Sequence, residues 1–179
     1  MVFSIVAVCT GNICRSPQVE YVLRAKIQQA ATSLPFAIAI SSCGIEGHEG
    51  WPADRRSIAV ALSSGYDIKA HRARAIDTED YSSGILLALD SGHLLSLQRA
   101  GAKDRSRLLM DFAVPHAPNV DVPDPYYASD PEEFDVVLRM IERGCDGFVS
   151  VLNSCVKRGT GPKQLTQALM GDLGGLRSE

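Results

Sequence analysis

The sequence predicts a single-domain α/β fold with a central, mostly parallel sheet covered on both faces by helices. Short apolar runs alternate with amphipathic stretches in a βαβα pattern through the first half of the chain. Strands joined through helices require right-handed crossovers, which bury both faces of the sheet. A chain of 179 residues, 45% of them hydrophobic, is also long enough to hold a core without a metal or a disulfide framework.

The opening run Val2 to Val8 is continuously apolar and reads as a buried strand. From Pro17 to Ala30 the period lengthens, with Val19, Val22, Leu23, Ile27 and Ala30 on one helical face, Ser16 placed as the N-cap and Pro17 in the first turn, where a missing N–H costs nothing. Ala37 to Ser41 reads as a second strand, Arg55 to Ser64 as a second helix and Ile85 to Leu89 as a third strand. Pro115 to Tyr127 is proline-rich and acidic, a surface loop. From Pro131 a helix places Phe134, Val137, Leu138, Ile141, Phe148, Val149 and Leu152 near one stripe, with Gly144 and Gly147 as points of bending or interruption. After Cys155 the character changes: Lys157 to Pro162 reads as a linker, Lys163 to Met170 as a short helix and Gly171 to Glu179 as a frayed end. This divides the chain into a folded domain over 1–155 and an extension over 156–179, partly helical or disordered, expected to be mobile.

Composition excludes several functions. A net charge of −3 lacks the broad positive field that draws nucleic-acid backbones or anionic lipid surfaces. No apolar stretch reaches membrane length, because Asp90 ends Ile85 to Leu89 and Asp111 ends Leu108 to Met110. The first residues carry no basic leader or small-residue cleavage site. The five cysteines are an odd number in a chain with core enough of its own, which points to a reducing compartment. A cytoplasmic protein with no nucleic-acid partner and no membrane insertion is expected. His48, His93 and His116 have no ligand spacing, so neither a metal nor a cofactor is expected.

Directly after the first strand comes Cys9-Thr10-Gly11-Asn12-Ile13-Cys14-Arg15-Ser16-Pro17, a cysteine and an arginine with five residues between them at a strand-to-helix turn. Gly11 and Asn12 both tolerate left-handed backbone angles, so the loop can curl its N–H groups toward one centre, and the helix that follows adds its positive end. Arg15 contributes a planar fork able to hold two oxygens of a phosphate-sized dianion. The same field favours thiolate over thiol at Cys9, and Ser16 is near enough in sequence to offer its hydroxyl to the sulfur.

Cys9 to Pro17 resembles the signature of the low-molecular-weight protein tyrosine phosphatases: a cysteine, five residues, arginine, serine and usually proline near the N-terminus. A second stretch, Asp121-Val122-Pro123-Asp124-Pro125-Tyr126-Tyr127, resembles that family's acid loop. Ser42-Cys43-Gly44, Pro52-Ala53-Asp54 with Arg56, His71 with Ala73-Arg74, and Ala88-Leu89-Asp90 are also similar to family elements, so the resemblance spans about Val2 to Leu152. It implies a three-layer sandwich around a four-stranded sheet. It further implies that Asp124 is the general acid and that Tyr126 and Tyr127 form part of the substrate wall. In two places the chain departs from the family: Gly47 stands where members often have an aromatic residue, with Trp51 nearby as a substitute, and His93 stands where many have asparagine.

On this reading the protein hydrolyses phosphotyrosine in a protein substrate and binds phosphate-like anions. Cys9 attacks phosphorus, Arg15 and the amides of Thr10 to Arg15 steady the equatorial oxygens, and Asp124 protonates the leaving phenol and then activates water, with no cofactor. Asn12, Ser42, His71 and Asp90 are candidates for a buried network that fixes the loop. Cys14 is either a packing residue or, as the resemblance implies, a resolving thiol that captures oxidised Cys9 as a disulfide. Three alternatives rank below it. A phosphoarginine phosphatase of the same family tends to carry a polar residue where Ile13 stands. An arsenate reductase-like enzyme needs a relay of closely spaced cysteines that Cys43, Cys145 and Cys155 do not form. A phosphotyrosine-binding module has no use for nucleophile, arginine and acid together.

Overall fold

The computed structural model describes residues 2–30, 35–113 and 119–171. Four strands, β1 (Val2–Cys9), β2 (Ala37–Gly44), β3 (Ile85–Ala88) and β4 (Ser106–Leu108), form one sheet in the order β2-β1-β3-β4 with every pairing parallel. The helices are α1 (Arg15–Gln29), α2 (Arg55–Ser63), α3 (Ser91–Leu97), α4 (Glu132–Lys157) and α5 (Pro162–Met170).

The period-two alternation of β1 separates two core layers. Phe3, Ile5, Ala7 and Cys9 turn to one face, where they meet Val19, Val22 and Leu23 of α1 and the apolar stripe of α4. Val6 and Val8 turn to the other face and pack with Cys43, Leu86, Ala88, Leu108 and Leu97 of α3. The result is the three-layer α/β sandwich expected. β1 lies between β2 and β3, so the loop that follows it opens at the middle of the sheet, beyond the strands' C-terminal ends, where open α/β sheets place their ligands.

Several local expectations need correction. β2 continues past Ser41 to Gly44, because Ala7, Val8 and Cys9 pair with Ser42, Cys43 and Gly44. α1 begins at Arg15 with Cys14 at the N-cap, so Ser16 is not the cap; it lies in the first turn, fully buried, with its hydroxyl turned into the preceding loop. Gly144 and Gly147 do not interrupt α4, which runs unbroken for 26 residues. They let the helix approach its neighbour closely: a Cβ at Gly147 would lie 1.7 Å from the Phe112 carbonyl oxygen, and one at Gly144 2.7 Å from Leu109 Cγ.

β4 and α3 carried no clear sequence signal. β4 is three residues long, and α3 is a seven-residue helix whose N-cap is Asp90, accepting from the His93 backbone N–H at 2.8 Å. The extension is packed rather than loose through α5. Leu165 and Leu169 join the main core, Thr166 Oγ1 donates to the Gly84 carbonyl at 2.7 Å, and Arg107 Nη1 donates to the carbonyls of Leu169 at 3.0 Å and Gly171 at 2.8 Å. The frayed end predicted beyond Gly171, His116 and the first part of the Pro115 to Tyr127 loop lie outside the described residues. The remainder of that loop has no regular structure, but Val122 is fully buried and its N–H donates to the Leu89 carbonyl at 2.8 Å, fastening it to the end of β3.

Candidate active site

The turn from β1 to α1 is shaped by Asn12, the one residue in it with a left-handed backbone, at φ 56°. Asparagine tolerates that angle better than most side chains, and here its amide is also fully used. Nδ2 donates to Ser16 Oγ and to Ser42 Oγ, both at 2.9 Å, and Oδ1 accepts the Arg74 N–H at 2.9 Å. The Asn12 carbonyl accepts from His71 Nε2 at 2.8 Å, which fixes that nitrogen as the protonated one. Behind this layer Ser42 Oγ donates to Glu20 Oε2 at 2.5 Å, and Glu20 pairs with Arg24 at 2.6 Å. Burial lowers the proton affinity of His71, so it holds the loop as a neutral donor.

Cys9 ends β1, nearly fully buried, with Sγ 3.0 Å from Ser16 Oγ. That hydroxyl accepts from Asn12, and its single proton has two acceptors in reach, the Cys9 sulfur and, at 3.3 Å, the Cys43 carbonyl. Cys14, also buried, differs in kind: burial pushes its thiol up to about 12 despite the nearby Ser57 hydroxyl, which acts the other way, and the nearby charges of Asp54, Cys9 and Asp124 act in the same direction as burial.

Arg15 joins three elements. Nη1 donates to Asp90 Oδ2 at 2.8 Å and to the Val122 carbonyl at 3.0 Å, while Nη2 donates to Asp124 Oδ2 at 2.9 Å. Burial alone would raise the proton affinity of Asp90, but its interactions with His93 and Arg15 outweigh that and hold the carboxyl well below the usual range. His93 also reaches the loop, with Nε2 2.9 Å from Thr10 Oγ1; its Nδ1 lies 2.9 Å from Asp90 Oδ1 but lacks the alignment of a hydrogen bond.

These groups open onto one pocket of about 420 Å³, its open mouth included. Cys9, Cys14 and Arg15 line its base with Thr10 and Gly11, Asp124 stands beside Arg15, and Ile13, His48, Tyr126 and Tyr127 contribute the walls. Tyr126 and Tyr127 meet edge to face at 5.1 Å between ring centres. Of the expected loop residues, Thr10, Gly11, Ile13, Cys14 and Arg15 line the pocket with the acid and both tyrosines, whereas Asn12 and Ser16 are buried outside its lining; Ser42 and His71 hold Asn12, and Asp90 holds Arg15. Cys43, Cys145 and Cys155 are buried elsewhere, and all five cysteines are free thiols. Among the described residues no group of three or more His, Cys, Asp or Glu could hold a metal ion.

Two contributors were missed. His48 supplies a wall that the sequence did not assign to it, and its ring stacks on Trp51 at 4.8 Å. Gly47 cannot serve there, since a Cβ would lie 2.1 Å from the Arg74 carbonyl oxygen. Trp51 therefore backs the wall instead of replacing it. The second is Arg56, picked out by the family resemblance but given no role at the site, whose Nη2 donates to the Tyr126 carbonyl at 3.0 Å. Only the pairing of His48 with an aromatic residue three positions on hinted at the first, and nothing in the linear sequence linked Arg56 with Tyr126.

Comparison with known proteins gives a consistent result. A family model described as low molecular weight phosphotyrosine protein phosphatase matches residues 4–158. A low molecular weight protein-tyrosine-phosphatase of Streptomyces coelicolor is 37% identical over 164 residues, covering 88% of this chain and 98% of that protein. A protein tyrosine phosphatase of Entamoeba histolytica, solved with Hepes in its active site, superposes with a TM-score of 0.75 at 27% identity, over 89% of this chain and 99% of that one. The tyrosine phosphatase Wzb of Escherichia coli K30, in complex with sulphate, gives 0.72 at 28% identity, over 85% and 99%.

Proposed function

This chain belongs to the low molecular weight phosphotyrosine protein phosphatase family, and from that premise we propose that Cys9, Arg15 and Asp124 carry out the hydrolysis. It is a protein tyrosine phosphatase, a hydrolase of phosphoric monoesters. The observation that carries the assignment of roles is that Cys9 and Asp124 open onto one pocket with the Arg15 guanidinium joined to Asp124.

In the first step the Cys9 thiolate forms a bond to phosphorus as the bond to the phenolic oxygen breaks, and protonated Asp124 delivers its proton to that oxygen. The result is a phosphocysteine and a neutral phenol. In the second step Asp124, now a carboxylate, takes a proton from water as the water oxygen attacks phosphorus and the thiolate leaves. Arg15 and the Thr10 to Arg15 amides supply the positive field for the equatorial oxygens. Ser16 has a hydroxyl proton within reach of the departing sulfur.

Ile13 on the wall gives the pocket an apolar side that suits an aromatic ring, favouring phosphotyrosine over phosphoarginine. The partner is a phosphotyrosine-bearing protein, and the compartment is the cytoplasm. Among the described residues no helix is long and apolar enough to cross a membrane. The catalytic unit is residues 1–155, and α5 is a strut added against it.

Steady-state assay of an aryl phosphate series tests these roles. Cys9→Ser should abolish turnover, and Asp124→Asn should lower kcat/KM, which reads the first transfer alone, by roughly 100-fold or more for esters of poor leaving groups while sparing good ones, since general acid catalysis typically contributes 10²–10⁴-fold. A Cys9→Ser enzyme with full turnover, or an Asp124→Asn enzyme whose kcat/KM falls equally on every ester, would refute the assignment. Parallel assays on phosphotyrosine and phosphoarginine peptides decide the substrate.

A further inference from the structure

We propose that Arg56 is a positioning residue for the general acid, a latch that fastens the segment bearing Asp124 to the support of the phosphate-binding loop. The inference rests on the assignment of Asp124 as the acid and adds a residue that touches neither substrate nor sulfur.

Asp124 lies in a stretch without regular structure, so apart from the Arg15 bond to its carboxyl at 2.9 Å its placement depends on the main chain on either side. Two residues before it, the Val122 carbonyl accepts from Arg15 at 3.0 Å; two residues after it, the Tyr126 carbonyl accepts from Arg56 Nη2 at 3.0 Å. The acid is thus centred between two guanidinium-to-carbonyl ties, and Tyr126 N–H closes the turn by donating to Asp124 Oδ1 at 3.2 Å. Because the Arg56 tie is to main chain, its effect reaches Asp124 directly and does not depend on the Tyr126 ring.

The anchor of Arg56 is firm. Asp54 accepts from Arg56 Nε through Oδ1 and from Nη2 through Oδ2, both at 3.0 Å, and its Oδ1 also takes the Arg56 backbone N–H at 2.8 Å as the N-cap of α2. Asp54 N–H in turn donates to the Ile13 carbonyl at 2.8 Å, so the chain of bonds ends in the phosphate-binding loop itself. The guanidinium is further held by two aromatic faces, 4.5 Å from the Phe134 ring centre and 5.8 Å from that of Tyr126. A planar fork that bonds a carboxylate and a carbonyl while stacking on rings cannot be reproduced by lysine. A proton donor must sit within hydrogen-bond reach of the leaving oxygen, and small misplacements weaken it strongly.

The test compares Arg56→Met, Arg56→Lys and Asp124→Asn with the parent enzyme by kcat/KM, which reads the first phosphoryl transfer, on aryl phosphates whose phenols run from acidic to weakly acidic. The expected result is that Arg56→Met loses roughly 10-fold on phenyl phosphate and less than about 2-fold on the most acidic phenol, a part of the full acid contribution. Arg56→Lys should fall between, and Arg56→Met added to Asp124→Asn should steepen the dependence no further. A purely structural role would lower the melting temperature and reduce all esters alike. If Asp124→Asn is steep and Arg56→Met keeps the parent slope, the latch is overturned and the acid stands; if Asp124→Asn itself is flat, the assignment of the acid falls first. Should Arg56→Met fail to fold, Asp54→Asn, which keeps the cap oxygen but removes the charge, replaces it. A parent-like slope in both Asp54→Asn and Arg56→Lys overturns the proposal.

Discussion

Asn12 combines a backbone requirement with a hydrogen-bonding one, and two substitutions separate them. Asn12→Gly keeps the left-handed angle and removes the amide, leaving the Arg74 N–H without its acceptor; leaving such buried groups unmet costs about 1–3 kcal/mol. Asn12→Ala loses the same bonds and adds about 1–2 kcal/mol of left-handed strain. Urea unfolding of both should place alanine below glycine, and equal stabilities would remove the strain argument. Cys14 offers a second test at this scale. A thiol raised to about 12 stays protonated near neutral pH, so iodoacetamide should label Cys9 first. Under mild peroxide, a Cys9–Cys14 disulfide forms when the Cys14 sulfur attacks the sulfenic acid on Cys9 and expels water. Because the thiolate is the attacking form, the link should form faster as pH rises, and mass spectrometry that finds no such link removes the redox role. Cys9, Arg15 and Asp124 were legible in the sequence because each belongs to a dense local motif. His48 was not, because its position depends on how Gly47 crosses Arg74, a contact between segments remote in sequence.

Among the elements, those with a long pattern were legible. The apolar run of β1 and the stripes of α1 and α4 each repeat several times, so their existence survived errors at the ends. β4 and α3 are too short to repeat anything, and both owe their form to what lies beside them: β4 pairs with β3 along Leu86 to Ala88, and α3 begins where Asp90 turns back on His93. The two glycines of α4 were misread because composition reports flexibility, whereas the need here is for space. Gly147→Ala should therefore destabilise the protein, although alanine is the better helix former. The Phe112 main chain cannot yield as a side chain would, and overpacking of this kind typically costs about 1–3 kcal/mol. A Gly147→Ala variant as stable as the parent in urea would mean that α4 can move away freely. α5 gives the complementary case: Leu165→Ala should cost about 2–5 kcal/mol, as for other buried leucines, whereas a loose tail would show no change.

For the molecule as a whole, acid sensitivity should arrive in two stages. His71 binds its proton less readily when folded than its ordinary value of 6.5, so the unfolded chain takes up the proton first. Its contribution is complete above 6.5 and is lost as pH falls below it, with a slope of at most about 1.4 kcal/mol per pH unit for one proton. Asp54, Asp80 and Asp90 are all held below the usual carboxylate range, so their contributions are lost only as pH drops beneath about 3.8. Urea midpoints at pH 7.5 and pH 5 should differ in the parent and differ less in His71→Asn, which keeps a donor for the Asn12 carbonyl. An equal difference in both would move the first stage to another group.

The all-parallel sheet also makes the two rims of the molecule unequal. Every reactive group hangs from the rim where strands finish, while Val2 marks the other, seven steps of about 3.3 Å or roughly 23 Å away along the central strand. A surface-immobilised enzyme tethered beside Val2 would present its mouth to the bulk fluid, whereas one grafted through the tip at Tyr127 would be smothered by its own support.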